Sequence, residues 1–585
     1  MRYPILQSQN SDRQMVDVFK GYNHNLRIAD GEFFDMRNMT SDCFPVLSPR
    51  GARGVYAKPS APNGMIAKDG LCYVDGTHFV MNEYRVDMGL STARADNPKQ
   101  LISMGAYVII LPDKKWINTM DLSEFGDIEA EFTSDSDVTF ELCTITGDSY
   151  TDASVSPSAP EDPANMDLWI DTAASPHTLK RYSASSDMWV NVATTYVKIS
   201  SPGLGKAFKQ YDGVTISGIK ASGAEGLNGV FGIWGQGDDF IVVTGIIDRV
   251  AVQKADAGAV TVARKMPIMD FIVESENRLW GCRYGDSIDG QIVNEIYACK
   301  LGDFKNWNCF MGLSTDSYAA SCGTDGPFTG AITHLGYPLF FKENCVHKVY
   351  GNYPANFMIQ TTACRGVQKG CERSLAIVNE TLFYKARSGI CAFDGALPVE
   401  SSYALGGESY SGAVGGAHGN KYYVSMMDTD GVWHLFVLDT AKGMWHREDN
   451  FHAMAFCSCR GELYCIDADA LNIIAMLGSG TREEGAVKWM IETGELAISS
   501  PDMKYISRLT VRMSMEIGAK AEVFAKYDMS DEWVSLCHIF STNLRSFSIP
   551  IRPRRCDHMK LRIVGEGGVK IYSITKTIEQ GSDIS

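Results

Sequence analysis

The chain has 585 residues, 45% of them hydrophobic, and a formal net charge of −16 from 54 Lys and Arg against 70 Asp and Glu. Hydrophobicity at this level excludes intrinsic disorder, and no Gly-X-Y period marks a collagen. The excess of acids argues against a protein that wraps nucleic acid, because such binding runs on Lys and Arg neutralising phosphates. It leaves room for a neutral or repulsive wall past which DNA slides, and it also simply keeps a large protein dissolved.

The amino-terminal stretch Met1–Ser11 mixes Arg2, Pro4, Gln7 and Asn10 with few apolar side chains, so it lacks the apolar core of an export signal. Nowhere does the chain approach about 18 uninterrupted apolar residues, and no membrane-spanning segment is expected. Sixteen cysteines are too sparse over this length for a disulfide scaffold. No Cys-x-x-Cys occurs; Cys457 and Cys459 have no second pair at zinc-site spacing, and the thiols read as reduced and mostly buried, as in a cytosol.

From residue 51 onward the hydrophobic period is two, in short bursts bounded by Gly, Asn and Asp, which is how half-buried antiparallel strands read. Leu71–Val74, Tyr107–Leu111, Ile268–Val273, Leu339–Phe341, Leu382–Lys385, Tyr422–Ser425, His434–Asp439 and Leu463–Ile466 each sit beside a turn signal. Groups of three or four such strands recur every ~35 to 50 residues, the spacing of propeller blades, in which radial packing buries the faces that one small sheet leaves open. Stacked solenoid sheets would satisfy the same burial, with shorter and more uniform periods.

Two stretches break the recurrence. Between Thr133 and Val197 the composition turns to Ser, Thr, Asp and Pro, with Ser156–Pro163 as a stiff spacer, followed by aromatic-bearing strands Asp167–Asp171, Lys180–Tyr182 and Met188–Val192, then a Gly-rich β region from Tyr211 to Val262. After Gly480 come longer strands, of which Leu509, Val511, Met513, Met515 and Ile517 alternate most cleanly. The expected fold is therefore all-β: a β-propeller of about six to eight blades, an inserted small β module and a carboxyl-terminal antiparallel β-sandwich-like domain. The expected boundaries are 1–50 for an amino-terminal arm, 51–130 for the first blades, 131–262 for the inserted β modules, 263–482 for the remaining blades and 483–585 for the terminal β domain.

No chemistry-bearing constellation stands out. Ser201–Ala207 carries Gly-Lys without the spacing of a phosphate loop and reads as a turn. His418, His434, His446 and His452 cluster in sequence without metal-ligand spacing. Asp428–Asp430 and Asp467–Asp469 have calcium-type carboxylates but suit hairpin turns better. Ser185–Trp189 resembles a sialidase Asp-box but lacks its Gly and spacing, and Gly415–Gly416 with Tyr422, Tyr423 and Trp445 is kelch-like in order but occurs once. Its plainer reading is close strand approach beside space-filling aromatics. No catalytic, cofactor-binding or metal residues are expected, and no cofactor.

Several segments resemble bacteriophage tail and head-completion proteins: Phe19–Leu26, Ile28–Asn38 and Phe44–Gly51 at the start; Leu279–Gly281, Gly302–Trp307, Gly326–Gly330, Gly351–Pro354 and Gly389–Gly395 in the middle; Arg554–His558, Leu561–Ile563 and Ile571–Ile574 at the end. The pattern is similar to the propeller-bearing nozzle or stabilisation proteins of phage tails, also called tail tubular protein B, and the inserted Pro160–Pro163, Asp167–Asp171 and Trp189–Val192 resemble a small module of phage tail proteins. The resemblance implies a non-enzymatic virion protein, assembled in the host cytoplasm into a ring, commonly of six copies. The ring would contact neighbouring tail or head-completion proteins, and genomic double-stranded DNA would be retained and then ejected through its lumen without sequence-specific binding. The runner-up is a glycan-binding or glycan-cleaving propeller, suggested by Trp169, Tyr182 and Trp189, which suit stacking on sugar rings. A kelch-type cellular scaffold comes third, because the double-Gly signature does not repeat.

Overall fold

The computed structural model describes residues 11–92, 99–150, 153–286, 290–478, 484–496, 503–528 and 530–580. Among them the regular structure is almost wholly β, divided among many small sheets, with six single-turn 3-10 segments and no α-helix. No helix is long and apolar enough to cross a membrane. The alternating strands expected from the sequence are therefore present, and they pair as local antiparallel hairpins because their connections are short.

Seven four-stranded units follow one another along the chain. The first comprises Pro62–Ala67, Leu71–Asp75, His78–Met81 and Tyr84–Asp87; the second Gln100–Met104, Tyr107–Leu111, Lys115–Asn118 and Phe125–Asp127. The third begins at Phe271–Ser275, the fourth at Gly330–His334, the fifth at Ala376–Val378 and the sixth at Ser411–His418. The seventh has Ala453–Cys459, Glu462–Asp467 and Ile473–Ala475, and takes its fourth strand, Gly54–Ala57, from upstream of the first unit.

The opening strand of each unit faces a common cavity of about 730 Å³. Met65, Leu101, Ile272, Ala331, Leu375, Val414 and Phe456, one from each unit or its lead-in, all line it. Neighbouring opening strands pack side by side, and Ala453–Cys459 of the seventh unit lies against Pro62–Ala67 of the first. Between units, apolar side chains interlock in separate clusters. Val108, Ile110 and Ile117 of the second unit meet Val74 and Phe79 of the first, and Val437 of the sixth meets Leu463 and Cys465 of the seventh. The double glycine sits at a close approach: a Cβ on Gly415 would lie 2.6 Å from the Ser374 carbonyl oxygen, and one on Gly416 would run into Phe456 Cβ. Gly415 and Gly416 thus allow the sixth unit's opening strand to be gripped from both sides.

Residues 130–264 form three sheets of their own. A five-stranded sheet centred on Tyr196–Ser200 and a four-stranded sheet holding Thr261–Arg264 share a core of Phe140, Val197, Ile199, Val214, Ile216, Ile241, Val243 and Val262. On that core sits a smaller sheet of Ala153–Ser156, Leu168–Asp171, Thr178–Ser183 and Met188–Asn191, which contributes Ile170 and Leu179.

Both ends of the described chain enter one twelve-stranded sheet. Ser11–Val16 pairs with Val569–Gln580, Glu32–Arg37 pairs with Lys488–Thr493, and Gly21–Tyr22 links that group to Met444–Arg447 of the sixth unit. The long strand Lys504–Tyr527 pairs first with Val569–Gln580 and then with Met559–Glu566, shifting register near Met515–Lys520; its other edge carries Val534–Ile549. Leu509, Val511, Met513, Ala521, Val523 and Ala525 are all buried in one core with Leu561, Ile563 and Ile571. The alternation read from Leu509 to Met515 holds, whereas Ile517 lies fully exposed at the shift.

Candidate functional sites

The shared cavity is lined by all seven units, and four of its charged wall groups, Lys99, Asp270, Glu372 and Arg373, have ionic or hydrogen-bonding partners. Lys99 and Asp113, both nearly inaccessible, form an ion pair. Burial alone would raise the Asp113 carboxyl, but the Lys99 ammonium together with Ser91 holds it below the usual carboxylate range. Asp270 accepts from Arg283 Nη1 at 2.8 Å and from the Tyr284 backbone N–H at 2.8 Å. Glu372 lies 4.0 Å from Arg373 Nε, whose Nη1 donates to the Met454 carbonyl at 3.2 Å. The rest of the wall is Gly, Ala, Leu, Ile, Val and Phe with Met65, Gln100, Tyr284, Pro327, Thr329 and exposed Lys369, and its carboxylates, Asp270 and Glu372, lie beside Arg283 and Arg373.

A larger charge cluster joins the segment before the first unit to the sixth unit. Arg53 donates to Glu448 at 2.7 Å and to Asp449 at 2.9 and 3.0 Å, while Arg50 forks onto Glu484 at 2.7 Å through both terminal nitrogens. The Phe451 ring lies 4.8 Å from the Arg53 guanidinium carbon. The paired residues are 395 to 434 positions apart in sequence, so spacing alone carries no signal for such a cluster.

The four histidines do not converge. His434 Nε2 meets Asp428 at 2.6 Å and its Nδ1 accepts from Arg447 at 2.9 Å. His452 stacks on Trp433 at 3.9 Å and contacts Asp469, and His418 contacts Ser458. His446 is buried in its strand, and burial pushes its pKa down to about 3. Among the described residues no three His, Cys, Asp or Glu side chains are grouped to hold a metal ion. Asp428 and Asp467 both act as turn residues, each accepting two backbone N–H groups from the residues that follow. Cys457 and Cys459, like all 16 cysteines, are free thiols, and burial pushes the Cys457 thiol up to about 12. Ser201–Ala207 is a turn ending in the 3-10 segment Leu204–Ala207, and Ser185–Trp189 spans a hairpin turn in which Asp187 accepts from the Tyr182 hydroxyl at 2.5 Å.

The aromatic trio does come together. Trp169 and Trp189 lie 5.5 Å apart edge to face, and Tyr182 lies 5.4 Å from Trp189. Strand alternation places all three on the face of the small sheet opposite Ile170 and Leu179. Lys180 sits 4.7 Å above the Trp169 ring and pairs with Asp171 at 2.8 Å. This face combines flat rings, two of them half-buried, with a charged pair and Asn191 directly across from Lys180.

No family profile and no curated protein matches this chain. Solved structures that resemble it include an exo-β-1,3-galactanase from Phanerochaete chrysosporium, with 8% identity over 52% of this chain and 94% of that one, at a TM-score of 0.22. PorZ, a surface component of the type-IX secretion system of Porphyromonas gingivalis, has 10% identity over 88% and 77%, at 0.24. Trypanosoma rangeli sialidase has 10% identity over 98% and 96%, at 0.25. At these values the likeness assigns neither a residue nor an activity to this chain.

Proposed function

We propose that the seven four-stranded units close into a seven-bladed β-propeller, with Gly54–Ala57 sealing the last blade, and that the chain serves as a non-enzymatic structural protein of a bacteriophage tail. In this reading residues 130–264 are an inserted β domain, the terminal sheet folds as a sandwich-like β domain, and copies assemble in a ring of the nozzle or stabilisation type around the DNA conduit. One observation carries it: the two chain ends are built into a single sheet that runs on into the sixth unit, joining terminal domain and propeller through backbone hydrogen bonds. Such a body transmits force without a hinge, which suits an architectural wedge. Labelling this subunit in intact particles tests it. Density at the tail is the expected result; absence from every particle, with a purified chain that stays monomeric, overturns it.

A second reading has an observation of its own. The face carrying Trp169, Tyr182 and Trp189 matches the ring-plus-polar pattern that stacks on and hydrogen-bonds to a saccharide. A glycan array probed with the native protein and with Trp189→Ala decides it, because binding that survives the substitution places any sugar site elsewhere.

A further inference from the structure

Charge is distributed unevenly along this acidic chain. Residues 504–585 hold 13 Lys and Arg against 9 Asp and Glu, so the acid excess belongs to the remainder. Arg508 and Arg512 of this segment share one face of the terminal sheet with Arg13, and the strand register fixes their arrangement. Arg13, Thr577 and Arg508 lie in one cross-strand row. Met15, Thr575, Thr510 and Ser548 form the next, and Ser573, Arg512 and Ser546 the third. The opposite face carries Leu509, Val511 and Met513 into the core, so these rows point away from it.

Arg13, Arg508 and Arg512 are exposed, and among the described residues none forms an ion pair, unlike Arg50, Arg53, Arg264, Arg283, Arg447 and Arg562 elsewhere. Exposed Arg552 and Arg554 lie on the segment that returns to the Lys504 end of the same strand through the Lys504–Cys556 bridge. Three carboxylates border the rows: Glu579, two residues beyond Thr577, Asp17, just past the edge strand, and exposed Glu516, four residues beyond Arg512 on the long strand.

We infer that this arginine-and-hydroxyl face of the terminal sheet binds the phosphate backbone of duplex nucleic acid without reading its sequence. Arg508 and Arg512 stand ~14 Å apart along one strand, and Arg13 and Arg508 ~10 Å apart across two. Ser573 and Thr575 are buried between the rows, which leaves exposed Ser546 and Ser548 and half-buried Thr510 and Thr577 beside the arginines. Arginine with such hydroxyls is the donor set that positions proteins on phosphates, whereas the centre of a protein–protein interface would be apolar and aromatic. Met15 is the one apolar side chain in the three rows. The inference rests on neither reading above, and it confines contact with nucleic acid to one face of a chain that repels it elsewhere.

The test uses the full chain and two unrelated duplexes of about 40 base pairs, with anisotropy read at salt between about 50 and 200 mM. Three phosphate contacts predict equal affinity for both duplexes and an affinity loss of about 40-fold across that range. In Arg508→Gln/Arg512→Gln the same change in salt should cost only about three- to fourfold. Arg13→Gln, on an edge strand outside the core, is the second variant and should give an intermediate slope, while Lys254→Gln in the inserted region should leave the slope unchanged. Absence of binding at the lower salt, or a slope untouched by the arginine substitutions, overturns the inference. So does salt-sensitive self-association that disappears in the same variants, which would assign the face to the acidic surface of a second copy.

Discussion

The seven small units and the terminal sheet solve the same burial problem with opposite connectivity. Within each unit the consecutive strands pair as hairpins within a few tens of residues, and apart from the borrowed Gly54–Ala57 of the seventh unit and the Gly21–Tyr22 link to the sixth, it is the faces that depend on distant chain. In the terminal sheet the pairs themselves are distant: Ser11–Val16 with Val569–Gln580, Glu32–Arg37 with Lys488–Thr493. Local pairing leaves the faces as the expensive part, so the units rely on packing between neighbours. Non-local pairing carries a loop-closure cost before any contact repays it, so the terminal sheet relies on a large continuous core and on buried ion pairs at its junctions.

Substitutions should separate the two solutions. The largest effects are expected where distant segments are riveted together. Arg53→Ala leaves Glu448 and the partly exposed Asp449 with Arg50 alone, at 3.5 and 3.2 Å, and should cost about 3 kcal/mol in urea unfolding, the low end for removing one partner of a buried pair. Trp489→Ala in the terminal sheet removes a 1%-exposed indole that donates to the Gly567 carbonyl at 3.1 Å, and about 3–5 kcal/mol is expected. If instead Trp489→Ala loosens only the terminal sheet and leaves the melting of the units untouched, the two regions unfold separately and the rigid junction is lost.

Within the units, Gly416→Ala drives a methyl into Phe456 and should cost about 1–3 kcal/mol. A pH experiment probes the core of the sixth unit. His446 has a folded pKa of about 3 against an ordinary value of 6.5, so between those values the unfolded chain binds the extra proton. Stability should therefore fall as pH drops from about 6.5 towards 3, and His446→Gln should flatten that window in a thermal melt series. His347, pushed down to about 4 by burial, adds to the same slope. The smallest effect belongs to Trp189→Ala, on an outward face, where unfolding free energy should change by no more than about 1 kcal/mol even if glycan binding vanishes.

Strand content and the recurrence of small sheets were legible because period-two alternation and Gly or Asp turns are local signals; Tyr107–Leu111 and Lys421–Met427 sit where the pattern puts them. The double glycine at Gly415 and Gly416 was also readable as a close approach, and the aspartates of Asp428–Asp430 and Asp467–Asp469 as turn residues. What stayed hidden was long-range. Nothing in Phe33 or Met36 says that its strand pairs with residues near 491, and the Arg50 and Arg53 cluster draws its carboxylates from two separate stretches. The outward arginine rows were invisible for a related reason: the sequence shows a net acidic chain, and only cross-strand register reveals that Arg13, Arg508 and Arg512 share a face. Trp169, Tyr182 and Trp189 were legible as candidates because they are aromatic and closely spaced, and the hairpin brings them together.

The seventh unit takes its fourth strand from Gly54–Ala57, while its other three lie between Ala453 and Ala475. During synthesis that early strand must wait, unpaired, while some four hundred residues leave the ribosome, and the seventh unit cannot be completed until the late hairpin arrives to capture it. A chain cut short before residue 453 would thus keep Gly54–Ala57 without its partner, primed to add to a sheet edge of a neighbouring chain instead of its own.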